Sequence, residues 1–489
     1  MNSTVRLLLA SMAASVLLGC GGSIQYYSLS VSVSGLGAGP LVLRDKNGGN
    51  LTLTENTPSA RFPHEIEHGT NYAVTVLTQP PGQSCTVTNG SGMLRYSVTN
   101  ISVSCTSLLA GATESFLYSF SPSTYSGNDI TASGGGAQPE AALLQAEDGD
   151  FYGTTPYGGQ NGVGTVFKIT AAGIYTELLS FTDAEMGSRG ALIQDADGML
   201  YGTGSGGNMG CGNIFKLSTD GSNYSVLHTF EGGSGDGCEP LAGLMLARDG
   251  KLYGTTSHGG PVRTNNSNGV GVVFKINTDG TSFSVLHEFD EKGDGELPAA
   301  ALIQASDDYL YGTTPSGGDD YHGTVFKIAT DGTGFSTVYK FTEYDSGVYS
   351  DGCYACGQGP TSAVMQAADG NLYGTTRDGG SGRGGVVFKI TLAGVESILY
   401  EFAAGSEPKG GLIQAADGNL YGTTYHGGAG SGSLFSLTTA GVYALLHSFT
   451  DSPDGKEPAA GVTQSATDGH LYGTTREGGD HGMGVVFKY

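Results

Sequence analysis

The most chemically varied residues of this chain recur at one place, directly after a Tyr-Gly-Thr motif. They supply aromatic rings, imidazoles, guanidinium groups and carboxylates, which together stack on and hydrogen-bond to polar ligands. We predict a polar ligand site built from them; solvated loop variation with no ligand is the alternative. The predicted ligand-binding residues are Tyr157, His258, Arg263, His322, Arg377, Asp378, Tyr425, His426, Arg476 and Glu477, of which Arg263 and His322 lie later in the same loops.

The motif that positions these residues is the core of a tandem repeat. Each copy has an apolar segment, an Asp-Gly turn, the Tyr-Gly-Thr segment, a Gly-rich loop, a Val-Phe-Lys segment and a final alternating segment. The tyrosines of the seven motifs are Tyr152, Tyr201, Tyr253, Tyr311, Tyr373, Tyr421 and Tyr472, spaced 48 to 62 residues apart. Repeats of this length with several strands each are typical of propellers.

The order of the segments at the two ends predicts a closed ring. The repeat region starts with a lone fourth-type segment, Phe116–Phe120, and ends on a third-type segment, Val485–Tyr489. The strand types balance only if the first segment completes the last unit, which would leave no unpaired edge. We therefore predict an all-β fold in which residues 114–489 form a seven-bladed β-propeller closed by a 3+1 blade.

Residues common to all the repeats are predicted to be structural. The tyrosines of Tyr-Gly-Thr and the phenylalanines of Val-Phe-Lys should fill the layers between sheets, and the lysines should be exposed or snorkelling strand residues. Acidic links that contain Asp236, Asp294 and Asp454 are predicted to cap turns, with calcium binding as the alternative. Where Asp307-Asp308 replaces Asp-Gly, we expect a looser turn.

The repeat resembles a known family. Gly370–Thr376 (GNLYGTT) and Gly323–Ile328 (GTVFKI) are the closest copies of the pattern of the GloVer (Gloeo_Verruco) tandem repeat, and the resemblance covers all seven units. It implies an exported bacterial surface protein of the choice-of-anchor type. The family contributes no catalytic residues.

The sequence contains no motif of a known reaction. It has no GxSxG, HExxH or Walker sequence, and its Gly-x-Gly pairs precede strands rather than helices. No catalytic residue, cofactor or metal is therefore predicted. We predict a binding module for a polysaccharide or protein; the alternative is a carbohydrate-active hydrolase or lyase whose site lies on the same face.

The N-terminus predicts export and lipid anchoring. Arg6 precedes a short apolar run, and Leu17–Cys20 (LLGC) resembles the lipobox of bacterial lipoproteins. Residues 1–19 would be a lipoprotein signal peptide, Cys20 the lipidation site, and residues 20–25 a lipidated tether. An ordinary signal peptide with an incidental Cys20 is the alternative. Gly21 after the lipobox favours the outer membrane.

Between the tether and the repeats, residues 26–106 show period-two alternation in short runs, which predicts a small β-sandwich-like domain. Export leaves six cysteines beyond Cys20, and proximity predicts the disulfides Cys85–Cys105, Cys211–Cys238 and Cys353–Cys356. The last pair is a CxxC, which could alternatively be redox-active or bind metal. A net charge of −24 disfavours nucleic acid and anionic lipid as partners. We expect a monomer that contacts the membrane only through its lipid.

Overall fold

The structure is a computed structural model. It describes residues 25–36, 40–54, 57–78, 80, 83–107, 114–121, 124–126, 129–131, 135–182, 187–206, 210–261, 268–290, 293–342 and 357–489. All regular structure in these residues is β, so the predicted all-β class is confirmed. None of the described segments forms a helix with the length and apolarity that a membrane crossing requires.

The N-terminal segment forms two four-stranded sheets that share one hydrophobic core. The first sheet contains, in spatial order, Ser59–Glu67, Tyr26–Ser34, Val98–Ser107 and Gln83–Thr88, and the second contains Asn50–Leu53, Leu41–Asp45, Asn71–Thr78 and Ser91–Met93. Leu29 and Ile101 of the first sheet and Leu43 of the second are fully buried in that core. Alternation of apolar and polar residues therefore gives each sheet one buried face.

In the repeat region, the described residues form seven four-stranded antiparallel sheets, here numbered sheet 1 to sheet 7. From first to fourth strand they are sheet 1, Leu144–Gln145, Phe151–Thr155, Thr165–Ile169 and Tyr175–Ser180; sheet 2, Ile193–Gln194, Leu200–Gly204, Asn213–Leu217 and Ser225–Thr229; sheet 3, Met245–Leu246, Lys251–Thr256, Val272–Asn277 and Ser284–Glu288; sheet 4, Ile303–Gln304, Leu310–Thr314, Thr324–Ile328 and Ser336–Lys340; sheet 5, Met365–Gln366, Leu372–Thr376, Val386–Ile390 and Glu396–Glu401; sheet 6, Ile413–Gln414, Leu420–Thr424, Ser433–Leu437 and Tyr443–Ser448; and sheet 7, Thr463–Gln464, Leu471–Thr475, Val485–Lys488 and Ser115–Ser119. Sheet 7 thus takes its fourth strand from the start of the repeat region, in the pairing predicted from the segment order.

Four short ladders lie outside these sheets. They pair Thr124–Ser126 with Asp129–Thr131, Gly136–Ala137 with Tyr157–Gly158, Gly237–Cys238 with His258–Gly259, and Gly357–Gln358 with Asp378–Gly379. The last three join the link before a sheet to the loop between its second and third strands. They therefore hold the residues that follow Tyr-Gly-Thr against that link.

A threonine hydrogen bond joins each sheet to the next around a closed cycle. The first threonine after Tyr-Gly donates to a backbone carbonyl of the next sheet over 2.8–3.2 Å in all seven cases. The seventh bond runs from Thr474 of sheet 7 to the Ala141 carbonyl of sheet 1. The aromatic rings of Tyr472 and Phe151 stack across the same junction with centroids 4.0 Å apart. The sheets therefore follow one another without an open end.

The repeated aromatic residues fill the layers between the sheets, as predicted. The motif tyrosines are at most 4% exposed and pack with leucines and phenylalanines of the following sheet. The intervening glycine is required by close approach: a Cβ on Gly254 would lie 2.5 Å from Cζ of Phe274. The repeat Tyr-Gly-Thr therefore combines a core side chain, a space for the opposite phenylalanine and a hydroxyl that joins two sheets.

The turn aspartates anchor the motif tyrosines. In each of the seven sheets the tyrosine hydroxyl donates to the aspartate of the turn before it over 2.7–2.8 Å. The Val-Phe-Lys lysines, predicted to be exposed or snorkelling, are about a quarter exposed in sheets 1, 5 and 7, where they form ion pairs with the same aspartates.

The expectation of a looser turn at Asp307-Asp308 is wrong. The Asp308 amide donates to the Ala305 carbonyl over 3.1 Å, much as Gly149 donates to Ala146 in sheet 1. Asp308 adopts φ +68°, in the left-handed region that the glycines occupy elsewhere. Aspartate tolerates this region better than most residues, so the same turn forms.

Disulfides join Cys85 to Cys105 and Cys211 to Cys238 in the structure. The first links two paired strands of the N-terminal segment, and the second ties the Gly-rich loop of sheet 2 to the link before sheet 3. Structural disulfides of this kind form in oxidising compartments. Cys20, Cys353 and Cys356 lie outside the described residues.

Candidate ligand site at the edge of the central cavity

A central cavity is lined by the segment at the start of each of the seven sheets. Its volume is about 250 Å³. Most of its lining is Ala and Gly, because these segments repeat the pattern of a variable residue followed by two small ones. The variable residues are Glu140, Arg189, Leu241, Ala299, Thr361, Lys409 and Ala459. Charged groups from sheets 1, 2 and 6 therefore face an otherwise small and apolar wall.

One end of a polar cluster is built on Glu140. Its carboxylate accepts from Arg189 of sheet 2 and, over 3.0 Å, from Nε of Arg476 in sheet 7. The Glu140 side chain is only 16% exposed, so two guanidinium groups compensate a largely desolvated charge. Arg189 also donates to the Tyr157 hydroxyl over 3.2 Å. Three sheets thus meet at one carboxylate.

The other end of the cluster is built on Tyr425 of sheet 6. Its hydroxyl donates to Glu457 over 2.5 Å and accepts from Arg476 over 3.0 Å. Burial and the bond to Glu457 raise the pKa of Tyr425 to about 12. Nζ of Lys409 lies 3.3 Å from the centroid of the Tyr425 ring, a close cation–π contact. Arg476 therefore connects the two ends; we call Glu140, Tyr157, Arg189, Lys409, Tyr425, Glu457 and Arg476 the cavity-edge cluster.

Local backbone geometry places the glutamates of this region. Glu407 and Glu457 each precede the proline before a cavity-lining segment and have φ +48° and +56°. Their carbonyls accept from the amides of Tyr425 and Arg476, the residues directly after Tyr-Gly-Thr-Thr. Each such glutamate is thus fixed beside the variable loop of its own sheet. Glu407 forms an ion pair with Lys409 over 3.5 Å.

The structure brings some of the predicted site residues together and separates others. Tyr157, Tyr425 and Arg476 belong to the cavity-edge cluster, and Glu477 and His426 adjoin it through Arg476 and the Tyr425 ring. The remaining described residues have local partners instead. His258 lies 3.2 Å from Glu239, Arg377 pairs with the adjacent Asp378, and His322 contributes a backbone carbonyl to Gly359. Arg263 lies outside the described residues.

Four cluster members were not predicted from the sequence: Glu140, Arg189, Lys409 and Glu457. The first three occupy the variable position before two small residues, and a comparison of the seven copies at that position would have revealed the charged ones. Glu457 lies in the acidic link that contains Asp454. Its role depends on a left-handed backbone that is not evident from residue type.

The acidic links cap turns, as predicted. Asp294 accepts from the Asp290 amide over 2.6 Å, and Asp454 accepts from the Thr450 amide over 3.2 Å. Each aspartate also binds a histidine of the preceding fourth strand. The pairs are His228–Asp236 at 3.2 Å, His287–Asp294 at 2.6 Å and His447–Asp454 at 2.8 Å.

These features define a class of all-β repeat protein, in which four-stranded sheets in cyclic succession surround a central cavity. The chain belongs to the Gloeobacter/Verrucomicrobia repeat family, whose model matches residues 104–264, 205–403 and 351–489. This confirms the resemblance drawn from the repeated motifs. No curated protein matches the chain significantly.

The solved structures that match the chain share little sequence with it. It is similar to an oligogalacturonate lyase from Vibrio parahaemolyticus, at 13% identity and a TM-score of 0.46, over 72% of this chain and 89% of that one. It is also similar to a puromycin hydrolase, at 14% identity and a TM-score of 0.47, over 73% of this chain and 53% of that one. TolB from Acinetobacter baumannii gives 14% identity and a TM-score of 0.35, over 57% and 58%. Similarity at this level carries no inference about activity.

Proposed function

We propose that the seven sheets are the blades of a seven-bladed β-propeller closed by a 3+1 blade. The threonine bonds between consecutive sheets and the pairing of Ser115–Ser119 with Val485–Lys488 support this arrangement. Residues 26–106 would form a separate sandwich-like domain that holds the propeller away from its anchor. Anchoring through an acylated Cys20 at the outer membrane belongs to the same proposal and rests on the lipobox-like sequence; the two disulfides support export.

We propose that the protein is a surface binding module and that its ligand is a polysaccharide bound at the cavity-edge cluster. The observation that carries this proposal is the Arg476 side chain, which joins Glu140, Tyr425 and Glu457 from separate segments. Arginine–carboxylate pairs held in this way present fixed donors and acceptors, which suit the hydroxyl groups of a sugar. The partly exposed Tyr157 ring adds a surface on which a sugar can stack.

The protonation of the cluster favours binding over turnover. With its pKa raised to about 12, the Tyr425 phenol stays protonated at neutral pH and acts as a donor rather than a base. The Glu140 and Glu457 carboxylates each accept from a guanidinium or phenol group and hold those donors in place. A fixed array of this kind recognises a ligand without requiring a chemical step.

Replacing Tyr157 with alanine is expected to weaken glycan binding by about fivefold or more, because a stacking aromatic contributes about 1–3 kcal/mol. A glycan array on the mature protein would identify a ligand, and calorimetry would then compare variants. Arg377→Ala is the matched control, since Arg377 pairs only with its neighbour Asp378 among the described contacts. Equal affinity of the Tyr157→Ala variant would reject this site. Binding of a protein in place of a glycan, or new reducing or unsaturated sugar ends, would replace the proposed function with one of its alternatives.

A further inference from the structure

The fourth strands of neighbouring sheets make a second repeated contact. It lies at the opposite edge of each sheet from the central cavity. A residue at the start of a fourth strand packs against a side chain near the end of the preceding sheet's fourth strand. Phe335 stacks on His287 with centroids 3.6 Å apart, and Phe283 stacks on His228 at 3.8 Å. The residues at this starting position are Tyr175, Tyr224, Phe283, Phe335, Glu396, Tyr443 and Glu114 in sheets 1 to 7.

Sheet 7 departs from this pattern, because the residue next to the histidine of the preceding sheet is not aromatic. Glu114 stands where the other sheets mostly have an aromatic ring, and it faces His447 of sheet 6 and Asp454 of the link between the two sheets. The ligand atoms of these three residues all lie within 4.8 Å of one another. Asp454 is 7% exposed, and Oε1 of Glu114 is buried with no hydrogen-bond partner among the described residues.

We infer that Glu114, His447 and Asp454 form a binding site for a divalent metal ion of the zinc class. One imidazole nitrogen and two carboxylate oxygens are a ligand set that zinc accepts, with a fourth position left for water. Zinc bonds of about 2.0–2.2 Å keep ligand atoms about 3–4 Å apart. The 2.8 Å hydrogen bond between Nε2 of His447 and Oδ2 of Asp454 would therefore open slightly to admit the ion, and Glu114 lies within 4.8 Å of both. The buried, unpartnered Oε1 of Glu114 is the atom that such an ion would satisfy.

The carboxyl groups of Glu114 and Asp454 favour binding of a cation at this site. Glu114 and Asp454 place two carboxyl groups within 4.8 Å of each other, an arrangement that a cation would stabilise. The equivalent pairs His228–Asp236 and His287–Asp294 have an aromatic ring in place of the glutamate. An ion bound here would tie the entry of the chain into sheet 7 to sheet 6.

Zinc binding to the mature protein tests this inference directly. After chelation and dialysis, calorimetry with ZnCl₂ should show one site per chain, and zinc should raise the melting temperature by about 3–6 °C. Glu114→Gln and Glu114→Phe should each weaken zinc binding at least tenfold and remove the thermal shift. The phenylalanine variant restores the arrangement seen at His287, so it should fold normally without metal.

Glu396→Gln provides the matched control. Glu396 also occupies the starting position of its fourth strand, and its buried Oε1 has no hydrogen-bond partner in the described part of the chain, but its neighbour is Tyr339 rather than a histidine. Zinc affinity should be unchanged in this variant. If the wild-type protein binds no zinc at micromolar concentration, or if Glu114→Phe binds it as tightly as wild type, the inference is wrong. An equal loss of affinity in the Glu396→Gln variant would likewise overturn it.

Discussion

Truncation after Gly484 is expected to abolish cooperative folding of the repeat region. The deleted strand contains Val485, Val486 and Phe487, all 0% exposed, which pack against the sheets on both sides. Loss of one such side chain costs about 2–5 kcal/mol, so the three together approach or exceed the about 5–15 kcal/mol that stabilises a typical domain. The deletion also leaves Ser115–Ser119 without a partner strand. Circular dichroism melting should show the loss of the transition seen for the full chain.

Ile174→Ser tests whether this effect is specific to buried residues. Ile174 is 65% exposed, so its replacement should change stability by no more than about 0.5 kcal/mol. A truncated chain that keeps the full-length melting temperature would mean that the last strand is dispensable. The 3+1 arrangement would then be wrong.

Arg476→Met should destabilise the protein by about 1–3 kcal/mol and also weaken ligand binding. The substitution keeps much of the side-chain volume but removes the guanidinium that binds Glu140, Tyr425 and Glu457. The carboxylates of Glu140 and Glu457 are 16% and 19% exposed, so each loses a partner while it is largely desolvated. Urea denaturation at neutral pH measures the loss.

A second substitution distinguishes the loss of the Arg476 ion pairs from the cost of leaving the Glu140 carboxylate without that partner. Adding Glu140→Gln to Arg476→Met should recover part of the stability, because it removes the carboxylate left without Arg476. Arg377→Met, which breaks an exposed pair with Asp378, should change stability by at most about 0.5 kcal/mol. Equal losses for Arg476→Met and Arg377→Met would show that the cavity-edge cluster contributes nothing to stability.

Repetition made the sheets predictable from the sequence. Each Tyr-Gly-Thr and Val-Phe-Lys segment is a poor signal by itself, but seven copies in one order define strand type and pairing. The early Phe116–Phe120 segment was assigned to the last sheet by this counting alone. The first strands are shorter than their apolar segments suggest, with only two paired residues such as Ile193–Gln194. Among the residues before them, small ones such as Ala191 line the cavity, whereas leucines such as Leu192 pack between the sheets.

Contacts between repeats were not predictable in the same way. The sequence placed Tyr157, Tyr425 and Arg476 in equivalent loops, but Glu140, which accepts from Arg476, lies more than 300 residues from it. His447 and Glu114 are likewise brought together only because the first segment completes sheet 7. Residue types describe what a side chain can do, whereas ring closure decides which side chains meet.

The N-terminal segment shows another limit of prediction from the sequence. Ser59–Glu67 forms a nine-residue edge strand that the sequence did not suggest, because Pro63 and four charged or histidine residues obscure its alternation. Phe62 and Ile66 are nevertheless buried on one face. Edge strands tolerate proline and charge since one side needs no partner.

Cross-linking of the two ends of the repeat region tests the central claim most directly. Ser115 and Lys488 are partners in the register of sheet 7, so cysteines at both positions should lie close enough to form a disulfide. Peptide mapping of the oxidised Ser115→Cys, Lys488→Cys protein should find an intramolecular link between the two peptides. The control pairs Ser115→Cys with Lys389→Cys, the same lysine position in sheet 5, and should give none. Absence of the first link, or equal formation of both, would contradict a ring closed by its own two ends.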